Sequence, residues 1–195
     1  MTPDHEETDG RRRRGLDSRD RIVEAMLELM REGEVAPGAE RVASRADVGL
    51  RTVFRHFRDM DNLYAEISRT IESELADLVA RPLASGDEAG RLVELASMRA
   101  EAYERIFPFK HASTAHRHRS DFLARDHARM VTNLRQSLAR DLPAVCADPG
   151  RMEALDLVLS FEAWSRLRRE QGLARDEALA VILAAAAALL RPAGT

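Results

Sequence analysis

The chain predicts an all-α protein: a three-helix N-terminal domain containing a helix-turn-helix, joined to a C-terminal helical bundle that dimerises. Three observations carry this. From residue 16 onward, apolar residues recur at the i, i+3, i+4, i+7 spacing of a helix face. Alternating Val/Ile/Thr runs and Asn-Gly hairpin turns are missing. Two short helical segments separated by a three-residue turn fall within residues 38–58. The expected division is a disordered Arg-rich arm over 1–15, a helix-turn-helix domain over 16–66 and a bundle over 67–195.

The elements follow in order. Residues 1–15 show no apolar periodicity and carry the run Arg11, Arg12, Arg13, Arg14 before Gly15. Asp17 or Ser18 can cap a first helix with the stripe Ile22, Ala25, Met26, Leu29, and Gly33 ends it. After Pro37-Gly38 a short helix carries Val42, Ala43 and Ala46. The turn Asp47-Val48-Gly49 then leads into a second short helix, LRTVFRHF. Asp59 and Asp61 offer caps for a longer helix through Leu63, Ile67, Ile71, Leu75 and Leu78. Pro82 and Ser85-Gly86 mark a linker. Further helices are expected over about 88–107, 120–140, 150–171 and 176–190, with 108–119 open between a short helix and turns.

Composition bounds the function. With 45% apolar residues the chain can bury a core, and its single cysteine, Cys146, excludes a disulfide scaffold and a Cys-based zinc site. No apolar run reaches the roughly 18 residues of a membrane span, and the N-terminus is unlike a signal peptide. A cytoplasmic protein with no membrane partner is expected. Acidic residues number 33 against 30 basic, which excludes a surface coated with nucleic-acid-binding charge but not a local patch. All the basic residues but Lys110 are Arg. GC-rich coding accounts for such a bias, and so does a need for bidentate phosphate or guanine contacts. Position must decide between them.

Position points to residues 38–58, GAERVASRADVGLRTVFRHFR, whose net charge is +3 although residues 1–70 sum to −2. Val42 and Ala46 face inward, Ala43 permits close crossing, and Val48 plugs the turn. In the second short helix Leu50, Val53, Phe54 and Phe57 are expected to form the inner face. Arg51, Thr52, Arg55 and His56 are left outward, a donor-rich set suited to base edges and phosphates. The alternative is an ordinary helical hairpin with a solvated charged face.

Residues 19–67 resemble the DNA-binding domain of the TetR (tetracycline-repressor-type) family of bacterial transcriptional regulators. Arg19, Ile22, Ala25 and Gly33 fit its first helix, Val42-Ala43 its second, and VGLRTVFRHFRDMDNL its turn, recognition helix and fourth-helix start. AWSRLRREQGLARDEALAVIL fits more loosely near the C-terminus. The resemblance implies a homodimeric repressor on a palindromic double-stranded DNA operator, with Arg51, Thr52, Arg55 and His56 at bases or phosphates. Arg45, Gly49 and Phe54 complete the expected DNA-facing set. The chain departs from the family at Asp47 (usually Gly), Gly49 (usually Ser or Thr), Phe54 (usually Tyr) and Met60 (usually Lys). The last two changes remove a hydroxyl and a cation of phosphate grip. Arg11 to Arg14 could supply a flexible DNA-contacting arm in their place.

In the bundle, Ala178 to Leu190 are thirteen consecutive apolar residues. A helix apolar on every side needs burial on most sides. Leu155, Leu159, Leu167, Val181, Ala184, Ala185 and Ala188 are therefore expected at a dimer interface. The resemblance further implies a small-molecule ligand of unknown identity, and Met98, Tyr103, Ile106, Phe122, Met130 and Trp164 are the candidate lining. Periodicity alone assigns those six to core packing. His111, His116, His118 and His127 lack the i, i+4 spacing of a helical metal pair, so no metal and no cofactor is expected. No catalytic constellation can be assembled. The competing readings are a helical enzyme or small-molecule-binding protein with a vestigial helix-turn-helix, and an architectural DNA binder without a ligand.

Overall fold

The structure, a computed structural model, describes residues 4–35 and 37–190, with side chains from Asp17 onward. The protein is all-α, and no strand occurs among the described residues. The helices are α1 (Asp4–Arg31), α2 (Ala39–Arg45), α3 (Leu50–His56), α4 (Met60–Val79), α5 (Glu88–His116), α6 (Asp121–Asp141), α7 (Pro143–Cys146), α8 (Pro149–Val158), α9 (Phe161–Ser165) and α10 (Arg175–Leu190). A 3-10 turn covers Arg117–Arg119, and a π-helical turn covers Arg166–Glu170.

Two compact units make up the chain. The first holds residues 1–73 and 108–125, and the second holds 74–107 and 126–195. The boundaries fall inside α4, α5 and α6, whereas a linear reading divides the chain once, between residues 66 and 67. Residues 108–125 join the first unit because Phe109, Ala112 and Leu123 bury themselves in its core beside Ile22, Met26, Leu29, Val42, Val53, Phe57, Leu63 and Ile67. Such a noncontiguous partner leaves no mark on local periodicity.

Three helix boundaries differ from the sequence expectation. Helix α1 begins at Asp4, where a disordered arm is expected. Helix α5 runs through Pro108, whose ring removes one ladder hydrogen bond and crowds the carbonyl of Glu104. The single helix expected over 150–171 breaks at Leu159–Ser160. There the Ser160 hydroxyl accepts from the Ala163 amide at 3.1 Å and starts α9.

Of the two cap candidates for α4, one caps it and the other bonds elsewhere. Asp59 caps α4 by accepting from the Asn62 amide at 2.9 Å, and these bonds hold its carboxyl below the usual range. Asp61 instead reaches α6: it accepts from the Ser120 hydroxyl at 2.6 Å and the Phe122 amide at 3.3 Å. The Ser120 hydroxyl in turn accepts from the Leu123 amide at 3.1 Å.

In the second unit the buried Arg99 donates to the carbonyl of Leu134 at 2.6 Å and the hydroxyl of Ser137 at 2.8 Å. Its other terminal nitrogen lies 3.4 Å from the Leu159 carbonyl, which also accepts from the Tyr103 hydroxyl at 2.8 Å. The end of α8 is thus tied to α5 by a cation, favourable at a helix C-terminus. No helix among the described residues is long and apolar enough to cross a membrane.

Candidate nucleic-acid interface

The interface is built on the turn between α2 and α3. Helix α2 buries Val42 and Ala43, then stops because Asp47 adopts a left-handed φ of 50°. The Val48 amide donates to the Ala43 carbonyl at 3.0 Å and the Asp47 amide to the Ser44 carbonyl at 3.3 Å. This pair of bonds is the Schellman helix end, and Asp tolerates its left-handed residue better than most side chains. Val48 follows and packs on the core. From α1, Arg21 donates to the carbonyls of Ala46 (2.5 Å) and Asp47 (3.2 Å), fixing the turn from outside.

Helix α3 docks through Val53 and Phe57, both buried. Leu50 and Phe54, expected inside, are 38% and 47% exposed. Leu50 is the first residue of a seven-residue helix and lies beyond the core's edge. Phe54 is turned about 100° from Val53. The helix starts at Gly49 with no side-chain cap, as Gly must. Its far end is held by Arg19, which donates to the His56 carbonyl (3.3 Å) and to Glu66 (2.7 Å) while lying 4.6 Å from the Phe57 ring centre. His56 is half-buried and its Nε2 is buried without a partner. Burial first, then the Arg55 and Arg19 charges, push its pKa below the ordinary value and favour the neutral ring.

The arginines divide sharply. Arg41 pairs with Glu34 at 2.8 Å. Arg45, expected at DNA, bonds Glu32 at 2.6 and 2.8 Å and Glu28 at 3.3 Å, so its charge is spent on the end of α1 and the turn after it. Arg51 and Arg55 are exposed and have no hydrogen-bond or ion-pair partner among the described residues. Thr52 is half-buried beside them. One face of α3 therefore gathers Arg51, Thr52, Phe54 and Arg55. Arg11 to Arg14 lie on α1, and their side chains fall outside the described ones. Arg19, Arg21 and Asp61 escape a periodicity reading. For Arg21 the signal is a charged residue beside an apolar stripe, while Arg19 is marked by the family resemblance and Asp61 as a cap.

The predicted ligand-lining residues are divided between the two units. Phe122 belongs to the first unit and packs on its core. Tyr103, Ile106 and Trp164 are buried, with the Trp164 indole donating to Glu104 at 2.9 Å. Met98 lines a cleft of about 480 Å³, together with Val79, Leu83, Arg81, Arg91 and Arg140. Arg140 is clamped on Asp141, and Arg91 donates to the Asp141 and Gly86 carbonyls. Cys146 is half-buried, and burial raises its thiol pKa, which suppresses thiolate chemistry.

The expected dimer face also changes. Leu155, Leu159 and Leu167 are buried within their own unit and cannot form a surface. On α10 only Ala178, Ile182 and Ala186 are buried, one stripe at four-residue spacing. Val181, Ala184, Ala185 and Ala188 remain exposed, as does Leu157 on α8 at 69%.

No protein-family model matches the chain, and no curated protein matches it. Among solved structures, a crystal structure of a transcriptional regulator from Rhodococcus sp. Rha1 shares the fold with a TM-score of 0.71. The match covers 88% of this chain and 95% of that one at 19% identity.

Proposed function

We propose that the protein is a ligand-responsive, sequence-specific DNA-binding transcriptional regulator of the TetR type, a repressor that binds a palindromic operator as a homodimer. The observation that carries this is the unpaired cationic face of α3, displayed by a helix whose two ends are fixed by Asp47, Arg21 and Arg19. A helix held that firmly can enter a major groove without paying ordering entropy. Arg51 and Arg55 supply the bidentate donors, and Thr52 adds a hydroxyl.

The exposed apolar face of α8 and α10, centred on Leu157 and Val181, is the surface we assign to the second copy. Val181→Glu together with Leu157→Asp is expected to give a monomer in sedimentation at micromolar concentration, and the parent is expected to sediment as a dimer. The second unit is the ligand-binding part. A ligand that favours an arrangement with mis-spaced recognition helices lowers operator affinity, and DNA by reciprocity weakens the ligand. The arginine-rich cleft around Met98 is the proposed entry. Selection of duplexes from a random pool by the full chain tests the reading. A palindromic consensus with half-sites about one helical turn apart supports it, and equal retention of all sequences rejects it.

A further inference from the structure

The free face of α3 is not only cationic. Leu50 and Phe54 stand one helical turn apart and are the only large exposed apolar side chains among the described residues of the first unit. The others, Val79, Val93, Leu157 and Val181, all belong to the second. Arg51 and Arg55, without partners, run alongside the pair on the side away from the core. A phenyl ring offers neither donor nor acceptor, so Phe54 can bond no phosphate and no base edge. Only its contact surface is available. The occupant such a face suits is anionic along its rims and apolar at isolated points between them. Duplex DNA has that character: phosphates line the major groove, and the thymine C5-methyl is the apolar group on its floor.

We infer that Leu50 and Phe54 read thymine methyl groups, which makes them specificity-determining residues and requires thymines in each half-site. The inference rests on the DNA-binding reading above. Both side chains are exposed, so removing them leaves the core of Val53 and Phe57 intact.

Duplexes are recovered from a random pool with the full chain, and each consensus thymine is replaced singly by deoxyuracil, which removes one methyl and preserves every hydrogen bond. One or two thymines per half-site are expected to weaken binding about fourfold each when replaced, the worth of one buried methyl. In Phe54→Ala or Leu50→Ala the matching replacement has no further effect, and thermal unfolding of the variants stays at the parent's temperature. Three results overturn the inference while leaving specific binding intact: a consensus without thymine, deoxyuracil tolerated throughout, or an undiminished loss in both alanine variants. Recovery of no consensus overturns the DNA-binding reading together with it.

Discussion

Helices α2 and α3 carry arginine at the same density, two in seven residues, and use it in opposite ways. On α2, Arg41 and Arg45 answer Glu34, Glu28 and Glu32 and help hold α2 beside α1. On α3, Arg51 and Arg55 answer nothing in their own chain. The lesson is that a +3 segment is not a +3 surface. Charge available to a partner is what remains after intramolecular pairing, and pairing is set by which helix lies alongside.

The largest effect expected from breaking this contrast is on α3. Arg51→Ala with Arg55→Ala should weaken operator binding on the order of a hundredfold, from roughly 1–3 kcal/mol per lost bidentate contact, with melting unchanged. Arg45→Ala should change affinity less than about twofold and lower the melting temperature by no more than about 2 °C, since its pairs are exposed. A filter-binding series read beside thermal melts checks both.

A smaller effect should come from freeing what α2 has neutralised. Glu28→Ala with Glu32→Ala releases Arg45, so binding to any duplex at low salt should rise about threefold, and its salt dependence should steepen by about one ion. An unchanged slope would show that Arg45 does not reach phosphate even when free.

Acid separates the two helices as well. His56 titrates below its ordinary value of 6.5 because burial disfavours the cation. The unfolded chain therefore takes up that proton first, and stability begins to fall as pH drops below about 6.5 toward the depressed value. Glu32 is held below its ordinary 4.5 by the Arg45 hydrogen bond. Its contribution is present above that value and is lost as pH falls through the depressed one. His56→Gln should flatten the upper limb of a stability–pH profile and Arg45→Ala the lower. The smallest effect is at Gly49, whose exposed position has open space around a Cβ. Gly49→Ser should add a cap worth about 0.3 kcal/mol, seen as a rise in melting temperature of about 1 °C.

Much of the first unit is readable from sequence because its signals are local. Gly33, the Asp47 turn, the Ile22–Leu29 stripe and the Val53/Phe57 pair all declare themselves within a few residues. What escapes is set by elements distant in the chain. Nothing beside Arg45 announces Glu32, nothing beside Asp61 announces Ser120, and the edge of a core cannot be seen from Leu50. The second unit fares worse. Leu155, Leu159 and Leu167 have the same apolar character as Leu157, and only packing tells inside from outside.

The central claim is that the unpaired face of α3 recognises a DNA sequence. Its most direct test is the affinity of the full chain for its selected duplex against a scrambled one, repeated with Arg51→Ala/Arg55→Ala at fixed salt. The expected result is a preference of at least about 1,000-fold that the double variant largely loses. Equal affinity for both duplexes, or a preference that survives in the variant, would contradict it.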